Sequence, residues 1–166
     1  MNHPLRLLFS LPITLAVLFL SGCGSTGVSE GIQQARLDTV ARIQSEAPGD
    51  YFIGRRYYKV QYKFWGYVRR PGQPWSSSQL VMFNEKQKLA PDRAQNTFGS
   101  DHNYEYKLYG DFSGDKVYEP ASNGIYPEFV LKNYELLSTN PPAIFKSQYD
   151  SRAQAALGRL TIEKPE

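Results

Sequence analysis

The chain has 166 residues, with 19 basic and 16 acidic side chains and a formal net charge of +3. A charge balance this even gives no general drive towards nucleic acid, and one cysteine cannot form a disulfide within the chain. Cys23 and two histidines do not suffice for a cysteine-based zinc site or a usual nucleophilic triad, so the sequence predicts no metal, cofactor or catalytic residue. The 12 Tyr, 9 Phe, 13 Gly and 11 Pro favour a β-rich domain with tight turns.

The N-terminal segment has the pattern of a secretory signal. One positive charge, at Arg6, precedes an apolar run over residues 7–20, and the residues that follow are small. A basic start, an apolar stretch of roughly 7–15 residues and a small-residue exit are typical of a signal peptide. The run is shorter than the about 20 residues that cross a bilayer, and it contains Pro12. We therefore predict a signal peptide over residues 1–22.

The end of this segment, Leu-Ser-Gly-Cys at residues 20–23, resembles the lipobox of bacterial lipoproteins. The resemblance implies that Cys23 receives a diacylglycerol, that signal peptidase II cleaves before it, and that the new amine takes a further fatty chain such as palmitate. Two or three chains make a stable membrane anchor, whereas one is marginal. Gly24 stands where inner-membrane lipoproteins often have Asp, which implies the outer membrane, facing the periplasm. The alternative is an ordinary signal peptide with a chance cysteine.

A tether and a helix follow the anchor. Residues 23–29 are small and polar, which is typical of a flexible tether. Residues 30–48 place Ile32, Ala35, Thr39 and Ile43 on one face at helical spacing, and Pro48 ends the pattern. The apolar face is thin. We therefore expect this amphipathic helix to lie on the domain rather than in its core.

The strongest strand pattern covers residues 55–69, where aromatic and aliphatic residues alternate with polar ones. The alternation predicts one long strand with the even-numbered residues 58–68 facing inward, and Gly66 at a bend. Further strands are predicted over 78–85, 103–112, 116–118 and 129–137, with a hairpin turn at 113–115. Pro91 and Asp92 predict a turn or short helix in the polar insert between the second and third strands.

These elements predict a mainly β fold, a small five-stranded OB-like barrel over residues 51–142. An N-terminal amphipathic helix precedes it, and a mobile C-terminal tail over 143–166, with a possible short helix at 148–157, follows it. A β-sandwich, or a curved sheet under a helix, is the alternative.

The best candidate binding surface is the outward face of the long first strand, where cations alternate with aromatic side chains. It comprises Lys59, Lys63, Trp65, Tyr67 and Arg69, and a proline-rich loop adds Trp75. Aromatic platforms beside cations suit stacking on sugar rings or bases. Because export makes nucleic acid an improbable ligand, the expected partner is a glycan, a lipid headgroup or an envelope protein. The alternative is that the aromatic residues pack under the helix or the loop at 71–75.

Carboxylates offer the only alternative with an enzymatic role. Asp111, Asp115 and Glu119 lie near a predicted turn, and paired carboxylates can cleave glycosidic bonds. His102 follows Asp101, but neighbouring side chains on a strand point to opposite faces, so the pair predicts no catalysis. The sequence thus favours a non-enzymatic, membrane-anchored binding or accessory lipoprotein of the cell envelope. A cell-wall or glycan hydrolase, or a purely structural subunit of an envelope complex, is the alternative.

Overall fold

The computed structural model describes residues 26–60, 63–149 and 162–166. Helix α1 (Thr26–Gln44) confirms the predicted helix and begins earlier, inside the segment predicted as a tether. No proline interrupts residues 26–44, so nothing in the backbone prevents this earlier start. Ile43, in the last turn, is buried, whereas Leu37 and Val40 are exposed. The helix therefore lies on the domain surface and inserts only its C-terminal end.

Five strands form a closed barrel, which confirms the predicted small OB-like architecture. Their bounds are β1 (Phe52–Lys59), β2 (Lys63–Arg69), β3 (Gln79–Asn84), β4 (Glu105–Glu119) and β5 (Gly124–Ser138). The order around the barrel is β1-β2-β3-β5-β4, and β4 pairs with β1 to close it. Only β3 and β5 are parallel; the other neighbours are antiparallel. A single turn of 3-10 helix (Trp75–Ser77) and a short helix α2 (Pro91–Ala94) lie in the connections flanking β3.

The prediction of one long strand over residues 55–69 is wrong, because the chain reverses direction within this range. β1 and β2 form an antiparallel hairpin in which Tyr58 faces Phe64 and Lys59 faces Lys63. A connection of three residues keeps even-numbered residues opposite even-numbered ones, so the alternation continues through the turn as if the strand were unbroken. The connection, 60–62, contains no Gly, Pro, Asn or Asp to reveal the turn. Val60, predicted to face inward, is exposed.

The predicted hairpin turn at 113–115 is also wrong. β4 runs through these residues, and three of them lie opposite a single residue of β5, between the pairs Phe112–Phe129 and Lys116–Pro127. This is a bulge, in which Gly114 has a φ of +87°. The chain reverses later, at residues 120–123, where Asn123 has a φ of +52°. β4 and β5 therefore form one long ribbon instead of three strands.

The barrel interior holds one hydrophobic cluster. Its buried members are Phe52, Val68, Val81, Phe83, Tyr106, Leu108, Phe129 and Leu131. The inward orientation predicted for the even-numbered residues of β2 is confirmed, since Phe64 and Val68 pack on or within this cluster. A Cβ on Gly66 would lie 2.1 Å from the carbonyl oxygen of Arg55. Glycine therefore lets β1 and β2 approach each other at this point.

A second cluster lies outside the barrel wall. Its buried members are Ile43, Ile53, Tyr57, Tyr67, Trp75 and Ile144. Ile144 belongs to the predicted tail, and the N–H of Glu166 donates to its carbonyl oxygen at 2.8 Å. The described parts of the tail, 143–149 and 162–166, therefore contact the barrel. Residues 150–161, which include most of the possible helix at 148–157, lie outside the described residues.

The glycine at β2 provides a test of the barrel. We expect Gly66→Ala to destabilise the protein by about 2–3 kcal/mol, because the added methyl group overlaps the backbone carbonyl oxygen of Arg55 on the paired strand β1. Chemical denaturation measures this change. Gly31→Ala, on α1, is the control: its Cβ meets nothing within 4 Å, and alanine raises helix propensity by about 1 kcal/mol. Equal stability of the two variants would contradict the described strand contact.

Candidate functional site

The structure packs two of the predicted binding residues, Trp65 and Tyr67, against or within the second cluster, and it also buries Arg69. Trp65, Tyr67 and Arg69 project from the outer side of β2 as predicted, but Ile144, Phe145 and Ile162 pack over this side. Tyr67 is 3% exposed and Arg69 is 2% exposed. The indole of Trp65 stacks on Tyr57 of β1 with ring centroids 4.9 Å apart. The sequence alternative placed these rings under the helix or the loop at 71–75; Trp75 of that loop shares their cluster, but C-terminal residues also cover them.

Trp75 is also buried, and two guanidinium groups lie close to its indole ring. The Cζ atoms of Arg55 and Arg69 are 5.1 Å and 4.6 Å from the indole centre. Arg69 makes a bidentate pair with Glu46, at 2.6 and 2.5 Å, and Arg55 donates to Glu105 at 2.9 Å. In the sequence, cations beside aromatic residues indicated a binding surface. In the structure, these two guanidinium groups instead pair with carboxylates from other parts of the same chain.

The remaining predicted residues, Lys59 and Lys63, face each other at the turn end of the β1–β2 hairpin, and both are exposed. Beside them, Tyr58 stacks on Phe98 with centroids 6.0 Å apart, and Phe64 lies 6.2 Å from Phe98. We call these five residues the hairpin tip. Phe98 is 54% exposed. The structure thus places a cluster of aromatic rings at the end of the hairpin that carries the two lysines.

Sequence reasoning missed Phe98, which lies some 40 residues from the hairpin along the chain. Its one signal was a large aromatic residue within the polar stretch 93–103. Strand alternation, on which the prediction relied, gives no information about residues that a connecting loop brings to the end of a barrel.

A cluster of charged side chains surrounds Arg56, on the inward side of β1. We call it the Arg56 cluster. Its guanidinium contacts Glu85 at 2.9 Å, Asp92 at 2.9 Å and Asp101 at 2.7 Å, and all four side chains are buried. Burial lowers the pKa of Arg56, but the three carboxylates outweigh this effect and raise it. Burial raises the pKa of Asp101, against the opposing effect of Arg56. These ion pairs attach the long β3–β4 connection to the barrel.

The carboxylates considered for hydrolysis do not converge. Asp111 and Glu119 are eight residues apart on β4, roughly 25 Å at about 3.3 Å per residue, whereas glycosidase pairs are about 5–10 Å apart. Asp111 pairs with Lys132 at 2.5 Å, and Asp115 is exposed. Although burial raises the pKa of Glu119, hydrogen bonds from Ser122 and nearby backbone N–H groups lower it overall. Glu119 therefore stabilises its own turn.

His102 is exposed at the surface of its loop. Its Nδ1 accepts a hydrogen bond from the backbone N–H of Tyr58 at 3.4 Å, and burial lowers its pKa. The carboxylate of Asp101 is directed to Arg56 and Tyr106, as expected for neighbouring side chains on opposite sides of the backbone. Within 26–60, 63–149 and 162–166, no group of three or more His, Cys, Asp or Glu side chains could hold a metal ion.

A groove of about 710 Å³ lies between α1 and the C-terminal part of the domain. Gly31, Ala35, Thr39 and Ile43, at intervals of four residues, line it from the helix. Trp75 and Ile144 line it from the other side. The indole N–H of Trp75 has no hydrogen-bond partner among the described residues.

No family model, curated protein or solved structure matches this chain. In the part of the chain that the structure describes, no helix is both long and apolar enough to cross a membrane.

The Arg56 cluster provides a test of the charged interior. We expect Arg56→Met to cost about 3–5 kcal/mol at pH 7, since it leaves three buried carboxylates with only Arg93 as a counter-charge. Burial already raises the pKa of Asp101, and loss of the Arg56 guanidinium raises it further in the folded variant. The loss of stability is therefore largest near neutral pH, where the carboxylates are charged. It decreases as the pH falls towards 4 and they take up protons. Denaturation at several pH values measures the difference from the unmodified protein.

Lys132→Met is the matched control, because it breaks an exposed ion pair with Asp111. An exposed pair contributes about 0–1 kcal/mol, so this variant should remain close to the unmodified protein at every pH. If Arg56→Met were equally mild, the cluster would not stabilise the β3–β4 connection.

Proposed function

We propose that the protein is a lipid-anchored, non-enzymatic binding module of the bacterial cell envelope. The Leu-Ser-Gly-Cys sequence at residues 20–23, at the end of a signal-like segment, supports the anchor. The compact barrel that follows α1 supports a binding role, since OB-like barrels bind their ligands through the β2–β3 face and the loops next to it. On this proposal, the outer membrane holds the protein with the barrel facing the periplasm.

The hairpin tip is the proposed recognition site, and its exposure is the observation that carries the proposal. C-terminal residues pack on the outer side of β2 and partly bury Trp65, so of the predicted set Lys59 and Lys63 are the two exposed residues. The connection between β1 and β2 is one of the ligand-binding loops of OB-like barrels. Phe98 adds an exposed ring to it.

The chemistry of the tip suits an anionic glycan polymer. Exposed aromatic rings stack on the apolar faces of sugars, and lysine ammonium groups attract carboxylates along such a polymer. In complexes with single-stranded nucleic acid, stacking of one base on an aromatic side chain contributes about 1–3 kcal/mol. A few contacts of this size, repeated along one polymer, suffice for retention. The carboxylates of the hydrolase alternative show no pairing that would support cleavage, so we propose binding alone.

We expect Phe98→Ala combined with Lys63→Ala to reduce co-sedimentation with purified cell-wall polymer at least tenfold, because it removes one ring and one charge from the tip. Thermal unfolding should change little, because both side chains are exposed. The control combines Tyr118→Ala and Lys116→Ala, an exposed aromatic residue and an exposed lysine on the β4–β5 ribbon.

Equal retention of both variants would contradict recognition at the tip. If crosslinking in native membranes instead captures a protein, and only the tip variant loses it, the tip is the binding site but the ligand is a protein and not a glycan.

The anchor has its own test. We expect Cys23→Ala to remove metabolic labelling by a palmitate analogue and to prevent cleavage before residue 23, because the thiol is the proposed attachment point. Mass spectrometry of the N-terminus and fractionation of membranes measure both effects. An unmodified thiol with an intact Met1 in the natural protein would contradict the lipoprotein assignment.

A further inference from the structure

The groove between α1 and the C-terminal part of the domain is suited to an apolar chain. Gly31, which has no side chain, lines it together with the small side chains of Ala35 and Thr39 and with Ile43 in the last turn of the helix. Residues at intervals of four lie on one side of a helix, so the small residues form a continuous channel. Its volume, about 710 Å³, is within the range of about 300–1,000 Å³ that is usual for small-molecule sites.

The charged groups in the lining already bind one another. Arg36 contacts Glu166 at 2.7 Å and donates to the hydroxyl of Tyr149 at 2.7 Å. Ile32, Val40 and Ile144 make up the walls together with the groups above. Because the guanidinium and the carboxylate neutralise each other at one edge, the groove favours an uncharged hydrocarbon over an ionic ligand.

The position of the groove identifies the source of such a chain. α1 begins at Thr26, three residues after Cys23, and three residues span at most about 10 Å. Gly31 is five residues further along the helix, about 7–8 Å at 1.5 Å per residue. A fatty chain on Cys23 therefore starts within about 20 Å of the groove. Attachment to the same molecule gives it an effective concentration that a free lipid does not have.

We propose that this groove binds one of the fatty acyl chains that Cys23 carries. The proposal rests on the lipid anchor of the proposed function and adds a second place for one chain. With one chain in the groove, fewer chains remain in the bilayer, and anchoring weakens because each chain adds to the membrane affinity. The groove thus lowers the barrier for the protein to leave a membrane.

The test labels the fatty acyl chain on Cys23 and fills the groove with larger side chains. The full lipidated protein is produced with a photoactivatable palmitate analogue and placed in phosphatidylethanolamine–phosphatidylglycerol vesicles. Ala35→Leu with Thr39→Leu fills the helix side of the groove. Gln33→Leu with Ala41→Leu adds the same two leucines at exposed positions outside the groove lining. Thermal unfolding checks that both variants are folded.

We expect the labelled chain to crosslink to peptides from residues 30–46 or 142–149 in the unmodified protein and in the control. In the groove-filled variant, the yield of this crosslinked product should fall at least five-fold. Its rate of transfer between vesicles should also be at least five-fold lower. Unchanged crosslinking in the groove-filled variant would overturn the proposal.

A second arm uses unlabelled protein in vesicles that contain photoactivatable phospholipid. Crosslinks to the groove in this arm alone would assign it to membrane lipid and would also overturn the proposal. The N-terminal mass separates the two hypotheses: no incorporated lipid contradicts the proposed function, whereas a lipidated protein without groove crosslinks contradicts only the groove assignment.

Discussion

The arrangement of the outer segments depends on the contact of Trp75 with Arg55 and Arg69. Each guanidinium lies beside the indole and pairs with a carboxylate from another part of the chain, Glu105 of β4 or Glu46 after α1. Buried charges are costly unless they are paired and hydrogen-bonded, so these partners are needed together. Arg55 also donates to the carbonyl oxygen of Pro142 at 2.8 Å. One aromatic ring and two ion pairs thus attach α1, the loop before β3 and the start of the C-terminal segment to the barrel.

This attachment determines which surfaces remain for binding. The outer side of β1 and β2 carries Tyr57, Trp65 and Tyr67, a set of rings that would suit a ligand if it were exposed. The C-terminal residues cover it instead, and Tyr67 donates to the carbonyl oxygen of Glu163 at 2.5 Å. Recognition is therefore proposed at the end of the same hairpin. Covering this side has a second consequence, since α1 meets the C-terminal segment along the groove.

Sequence reasoning succeeded where local periodicity carried the information. The helix around Ile43 and the barrel-facing residues of β2 follow spacings of 3.6 and 2, which depend only on nearby residues. It failed at turns that periodicity does not mark. The β1–β2 connection preserves the alternation, and the bulge at Gly114 resembles a hairpin turn in composition.

The amino-acid sequence by itself determined the mainly β class, the position of the N-terminal helix and the predicted attachment of lipid at Cys23. The lipid attachment stays a prediction. Only the tertiary structure decided which aromatic and basic residues are exposed. Alternation shows that Trp65 and Lys63 share one side of β2, but not that residues 144–145 and 162 cover one of them and leave the other in solvent. Burial depends on contacts between segments about 80–100 residues apart, and no pattern within one strand contains that information.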